Sequence, residues 1–344
     1  MEELLPKDNE NIPQLVGPVT PSEPPGFLPE EMIRCDQCLR ANPPTRGNCL
    51  YCGATLPHTE SSARLRKPTL RPPDKGQPGY NSVFVGQPLV GEALASAAAL
   101  LKLSPDELQR LITASTPLPL ARTATREDAD LLHNRLRELG LETITIADVE
   151  MGVGDAKVSR IRSLSLADSG LTVLQEGLLA GEHLRWSDVL LLVKGRLHIK
   201  TVQLEERKSR KPEAEIVSSS QFFADQQVVD IYSSTHSQTW RISANSFDFS
   251  CLGPTKSLLA NENMTRLLKL LVAQSTKAEA DDSYAKLRQA LEPVWGSEQE
   301  TESDGWRRSA PGQYSLNNIT TKSNESQFTS YSRLRYFLKS RSTG

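Results

Sequence analysis

The segment Cys35-Asp36-Gln37-Cys38-Leu39-Arg40-Ala41-Asn42-Pro43-Pro44-Thr45-Arg46-Gly47-Asn48-Cys49-Leu50-Tyr51-Cys52-Gly53 carries four of the five cysteines in the chain. They fall as two Cys-x-x-Cys pairs with ten residues between them. Each pair can wrap the backbone around one side of a tetrahedral ion, and the intervening loop returns the second pair opposite the first. Gly53 lets the chain turn tightly after Cys52, so that backbone N–H groups can point at the sulfurs. Four thiolates at about 2.3 Å from Zn²⁺ make a closed structural site with no position left for a substrate. A folding unit of about 25 residues has too little core to stand without its metal, so zinc binding and folding should be one event. Two disulfides, a dithiol redox pair or an iron site are the alternatives. Paired Cys-x-x-Cys in a chain without an export signal favours metal. Cys35, Cys38, Cys49 and Cys52 are therefore the expected metal ligands of a four-cysteine zinc ribbon over residues 31–56, with Zn²⁺ as cofactor.

The spacing Cys35-x2-Cys38-x3-Asn42-x6-Cys49-x2-Cys52, with its loop Asn42-Pro43-Pro44-Thr45-Arg46, resembles the RanBP2-type zinc finger. The resemblance covers the ribbon alone, and the broader zinc-ribbon class fits as well. It implies zinc on these four cysteines, in a family whose members bind single-stranded RNA or ubiquitin. Ile33-Arg34 stands where that family has a Trp before the first Cys, and Leu39-Arg40 where its ubiquitin binders carry Thr-Phe. Only the metal ligands carry over.

Outward from the ribbon the composition changes on both sides. Residues 1–30 hold six acids and one base, with several prolines, and are expected to be a disordered acidic arm. Residues 57–85 are rich in proline and bases and are expected to be an extended linker. Residues 31–80 contain eight bases and four acids, a net charge of +4 that suits a phosphate backbone. A stacking platform needs aromatics, however, and only Tyr51 and Tyr80 lie near. A solvated linker is the expected reading. The whole chain has a net charge of −2, which excludes a globally basic nucleic-acid coat protein. Its apolar share, about 42% with glycine included, lies below the ~45–50% of a typical domain, as ordered units diluted by disordered segments would give. Met1–Glu10 has no apolar run and does not read as a targeting signal. The longest apolar stretches, Leu94–Leu103 and Val189–Val193, fall short of the ~20 residues that span a bilayer. The expected location is cytoplasmic.

Residues 89–150 predict a small α/β unit. Leu94, Ala97, Ala98 and Leu101 share a helical face, and Ser104-Pro105-Asp106-Glu107 opens a second helix with a capping box. A strand at Leu118–Arg122 precedes a helix that is capped by Thr125, striped by Ala129, Leu132, Leu136 and Leu139, and stopped by Gly140. Leu141–Ile146 then predicts a second strand, parallel to the first in a βαβ unit. The run from Pro119 to Thr143 resembles a small family of prokaryotic signal-transducing proteins, which implies a ferredoxin-like fold.

Residues 155–275 predict a β-rich unit. Strands are expected at Ile161–Leu166, Leu171–Gln175, Trp186–Val193 and Arg196–Val202, then at Val228–Tyr232, Thr239–Ser243 and Phe247–Cys251. A charged loop, Glu205–Glu215, interrupts them, and a helix from Leu258 to Gln274 presents Met264, Leu267, Leu268 and Leu271. Trp186, Trp240, Phe247, Phe249 and Cys251 are core candidates. The phrase Leu184-Arg185-Trp186-Ser187-Asp188-Val189, with the closing helix, resembles bacterial PH-like domains. That likeness implies a β-barrel or sandwich with a docking surface for peptide, protein or lipid headgroup at one end. Lys194, Arg196, His198 and Lys200 share one strand face, which reads either as an anion-binding face or as the solvent side of a two-faced strand. The solvent reading is preferred.

Residues 276–344 read as a helical, then polar, C-terminal extension. Thirteen of the 22 residues in 309–330 are Ser, Thr, Asn or Gln, and irregular structure or disorder is expected there. Gly152-Val153-Gly154 is followed by Lys157 where a dinucleotide loop needs a third Gly. No other catalytic signature stands in the chain. The fold class expected is α+β and multi-domain. The function expected is a non-catalytic zinc-ribbon protein in protein–protein interaction or regulation. The alternatives are nucleic-acid binding through the ribbon and basic linker, and an enzyme with its site between the α/β and β-rich units.

Overall fold

Two short strands, β1 (Ile33–Arg34) and β2 (Ala41–Asn42), pair antiparallel in the computed structural model, with Ile33 opposite Asn42. The structure describes residues 27–57, 66, 68–70, 76–153, 158–175, 181–208, 214–275, 277–311 and 313–342. The acidic arm up to residue 26, linker residues 58–65, 67 and 71–75, Gly154 and Lys157 lie outside the described residues. The chain divides into two compact units, Met1–Lys67 and Pro68–Gly344.

The second unit begins with β3 (Tyr80–Phe84), then α1 (Gly91–Leu101), α2 (Pro105–Ile112), β4 (Pro119–Thr123), α3 (Arg126–Glu138) and β5 (Thr143–Ala147). The helix signals hold. Ser104 Oγ accepts the Glu107 N–H at 3.2 Å, and Glu107 Oε2 accepts the Ser104 N–H at 2.7 Å. Thr125 Oγ1 likewise accepts the Asp128 N–H at 3.2 Å, and Gly140 leaves α3 at φ +84°. The strand arrangement differs from a simple βαβ pair. β4 and β5 do run parallel, but they flank β3, which is antiparallel to both. The sequence hides β3 inside the expected linker because its centre is polar. Asn81 and Ser82 are buried, and Asn81 Nδ2 donates to the Ile146 carbonyl at 3.2 Å and to Asp148 Oδ1 at 2.8 Å.

The large sheet follows: β6 (Val158–Ala167), β7 (Gly170–Gln175), β8 (Glu182–Arg185), β9 (Val189–Lys208), β10 (Ala214–Ser233) and β11 (Thr239–Ser243). After α4 (Ala260–Gln274) come β12 (Glu279–Asp281), α5 (Tyr284–Leu291), β13 (Glu298–Ser303), β14 (Arg307–Ala310), β15 (Gln313–Ser323) and α6 (Glu325–Ser342). The strands form one ten-stranded sheet, curled into a half-barrel, in the order β13-β15-β9-β10-β11-β6-β7-β8, with β12 beside β9 and β14 beside β15. The β11–β6 and β12–β9 pairs are parallel and the rest antiparallel.

Four expectations are corrected here. Trp186–Asp188 is a 3₁₀ turn before β9, with the Trp186 indole N–H on the Ala167 carbonyl at 2.9 Å. Phe247–Cys251 is no strand: Phe249–Thr255 forms 3₁₀ turns that bury Phe249, while Cys251 is half-buried. The charged stretch Glu205–Glu215 is strand on both sides of residues 209–213, which lie outside the described residues. Residues 313–323 are strand and 325–342 helix, not irregular. The charge and polarity of these segments concealed strands held by backbone pairing, on both sides for the end of β9 and for β15, and to β9 alone for the start of β10.

Each face of β9 and β10 carries a different core. Leu192, Val229 and Ile231 pack with Trp240, Ile242 and the α4 residues Met264, Leu267 and Leu271. On the opposite face Leu191, Val193, Leu197 and Val228 join Phe328, Tyr331 and Leu334 of α6, together with Leu120 and Ala121 of the three-stranded sheet. Segments 89–150, 155–275 and 276–344 thus lie within one compact unit. α6 comes close to β9 at Gly195, where a Cβ would meet the Phe328 ring at 2.3 Å.

Candidate metal centre

The first unit folds around its sulfurs. The Sγ atoms of Cys35, Cys38, Cys49 and Cys52 all lie within 4.8 Å of one another. Cys35 faces Cys52 at 3.6 Å and Cys38 faces Cys49 at 3.4 Å. A disulfide needs about 2.05 Å. Four ligands at about 2.3 Å from one tetrahedral ion stand about 3.8 Å apart. All five cysteines of the chain are free thiols here, and the observed spacing suits a shared ion. The structure brings together all four of the ligands expected from sequence.

Two matched turns hold them. Cys35 N–H donates to the Arg40 carbonyl at 3.0 Å, and Leu39 N–H donates back to the Cys35 carbonyl at 2.8 Å. In the second turn Cys49 N–H donates to the Ala54 carbonyl at 2.7 Å, and Gly53 N–H to the Cys49 carbonyl at 3.0 Å. Both turns therefore require a left-handed residue right after their second cysteine. Gly53 fills that place at φ +75° and Leu39 at φ +59°. Asn42, wholly buried, joins the turns. Its Nδ2 donates to the Arg40 carbonyl at 2.9 Å and to Cys49 Sγ at 3.5 Å, and its Oδ1 accepts the Leu50 N–H at 2.8 Å. Sequence reading placed Asn42 in the loop motif but missed this bridging role. A short polar residue followed by Pro-Pro between two Cys pairs is the available signal.

The thiols do not ionise alike. Burial opposes the charge on Cys49, but N–H donors from Cys52 and Tyr51, with the Asn42 amide, outweigh it and bring this thiol down to about 6. At Cys52 the Ala54 N–H favours the thiolate, yet burial and the three neighbouring sulfurs push it up to about 12. Cys38 is raised as well, against the Arg40 N–H, by burial and the Cys49 and Cys35 sulfurs. One thiolate is supported by the protein; four together need a cation among them. With all four donors on one ion, no coordination position remains for a reactant.

Elsewhere, a cavity of about 1260 Å³ lies between the three-stranded sheet, β15 and α6. Several of its polar side chains are held by neighbours. Arg122 pairs with Asp148, the Trp295 indole N–H donates to Asn81 Oδ1 at 2.9 Å, and Glu325 Oε1 accepts from Arg241 at 3.0 Å. Among the described residues, no helix is long and apolar enough to cross a membrane. The chain matches no family model, no curated protein and no solved structure.

Proposed function

We propose that this is a non-catalytic, cytoplasmic zinc-ribbon protein that acts in protein–protein interaction or regulation, with zinc in a purely structural role. One observation carries the reading: the four-sulfur cluster leaves apolar side chains exposed on the turns that form it. Leu39 is 70%, Leu50 51% and Tyr51 56% exposed. The ion in such a centre shapes a surface and does no chemistry, and apolar groups held outward on a rigid turn suit a protein partner. The curled sheet from β6 to β11, closed by α4 over its core, supports a PH-like reading of that part of the chain, a further docking scaffold. A second reading, single-stranded nucleic acid, is favoured by the Arg40 guanidinium lying 4.7 Å above the exposed Tyr51 ring.

Metal analysis of the purified chain is expected to give about one zinc per molecule, lost when Cys35→Ser and Cys38→Ser are combined. Metal-free protein with intact thiols, or thiols oxidised in pairs, overturns the zinc assignment. Crosslinking of the zinc-loaded chain should capture protein partners that a Leu39→Ser, Leu50→Ser variant loses while keeping its zinc. An unchanged partner set removes the ribbon surface from the function. Oligonucleotide binding that falls steeply with salt and is lost in Arg40→Gln and Tyr51→Ala would favour the second reading.

A further inference from the structure

Beyond the end of β11, β9 and β15 run side by side, and their register sets Lys200 directly opposite Lys322. Like charges at directly opposed positions repel and destabilise a sheet. A cavity of about 660 Å³ opens over this point, and His198, from the same face of β9, and Arg288, from α5, also line it. Two carboxylates line it too, and both are engaged. Asp225 accepts from Arg196 Nε at 2.8 Å and stands 3.9 Å from His198 Nδ1. Glu292 accepts from the Ser297 N–H at 3.1 Å, the Ser297 hydroxyl at 3.2 Å and Gln327 Nε2 at 3.2 Å. Lys200, Lys322 and Arg288 form no ion pair among the described residues. The fourth feature is aromatic: Phe223, opposite Lys200 on β10, is 73% exposed with its ring 5.6 Å below the Lys200 ammonium.

With Asp225 held by Arg196 and the Glu292 carboxylate set against three cations, the lining keeps an excess of positive charge that makes a site for an anion, and an exposed ring at its rim suits a planar group. The volume is that of a small-molecule site. We propose that this cavity binds a small organic phosphate, its phosphoryl group bridging Lys200 and Lys322 within reach of Arg288 and its planar part lying on Phe223. The site lies outside the ribbon and does not depend on the function proposed for it. The sequence showed Lys200 and His198 on one face but not Lys322 and Arg288. Those two arrive from strands and helices more than 80 residues further along the chain.

The test is calorimetric titration of the full, zinc-loaded chain at fixed ionic strength with ADP, ribose 5-phosphate, inorganic phosphate and adenosine. ADP should bind, ribose 5-phosphate more weakly, and adenosine not at all. Lys200→Gln with Lys322→Gln should weaken ADP by about tenfold or more, as loss of charge-assisted contacts does. Phe223→Ala should weaken ADP about fivefold or more while leaving ribose 5-phosphate unchanged, the pattern of a lost stacking contact. No binding of any phosphate, or ADP binding that the double variant leaves intact, overturns the proposal. So does tighter binding of a ten-nucleotide single strand than of ADP, which would make the site a polymer groove. Thermal melting without phosphate supplies a second readout. Lys322→Gln should raise the melting temperature by relieving repulsion, and a fall would show that the two lysines are structural and overturn the proposal.

Discussion

Leu39 and Gly53 occupy equivalent places in the two cysteine turns, and only one of them suits its backbone. A left-handed conformation costs an ordinary L-residue about 1–2 kcal/mol. Glycine escapes that cost but loses about 0.4–1 kcal/mol through the greater freedom of its unfolded chain. Leu39 is 70% exposed, so replacing it removes little burial. Leu39→Gly should therefore favour the folded ribbon by about 0.5–1 kcal/mol, the difference of these two effects. Because folding and metal binding are coupled, the gain appears as zinc held about two- to fivefold more tightly in competition with a chelator. Gly53→Ala should shift the same competition the other way. If Leu39→Gly weakens zinc, the leucine side chain contributes something that its backbone strain conceals.

At the scale of elements, the least legible part of the chain proved to be the most central. α6 was invisible to a reading of residues 309–330 as polar and irregular, yet Phe328, Tyr331 and Leu334 are fully buried. Its anchors are pairings that no local pattern reveals. Arg241, 1% exposed, holds Asp230 with two bonds of 2.7 and 2.8 Å, reaches Glu325 at 3.0 Å and lies 4.8 Å above the Phe328 ring. Helices with local caps and stripes, α2 and α3, were legible because everything that specifies them lies within one turn or one face. α6 and β3 were not, because their partners lie tens of residues away, and β15 was hidden by a polar sequence although it pairs with the neighbouring β13 and β14. A second anchor of α6 has a pH signature. Asp281 Oδ2 accepts the Tyr331 hydroxyl at 2.7 Å and Arg335 Nε at 2.6 Å. Burial opposes its charge, but the Ser283 N–H, Tyr331 and Arg335 outweigh that and hold the carboxyl below its ordinary value. A carboxyl with a depressed folded value contributes stability that is complete above its unfolded value of about 3.9 and fades as pH falls through the folded one. Asp281→Asn should thus cost about 1.5–3 kcal/mol at pH 7, the worth of hydrogen bonds to a charged group. Below pH 4 the gap between variant and wild type should narrow in urea titrations. A gap that is constant from pH 7 to pH 3 would show that the carboxylate charge plays no part.

For the whole molecule, the two units differ in what holds each of them. The second carries two extensive apolar clusters on opposite faces of β9 and β10. The buried cluster of the first is Ile33, Leu56 and two of its own ligands, Cys35 and Cys49. Two aliphatic side chains contribute about 3–6 kcal/mol on full burial. Ordering the backbone costs about 1–2 kcal/mol per residue, which exceeds that within a few residues. The cysteine pairs announced this unit in the sequence because its specification is chemical and local, whereas the sheet is specified by long-range pairing. The consequence is testable by residue-resolved hydrogen exchange on the full chain before and after zinc removal by a chelator. In the ribbon, the amides of Cys35, Leu39, Cys49, Gly53 and Leu56 are all hydrogen-bonded within it. They should lose protection completely when the ion leaves, since no other source of stability remains to close those bonds. The amides of Val193, Val229 and Ile231 sit in the doubly cored strands and should exchange at the same rate with or without metal. Protection that survives chelation in the ribbon would mean that its turns and the Asn42 bridge suffice without an ion, and the structural role assigned to zinc would fall.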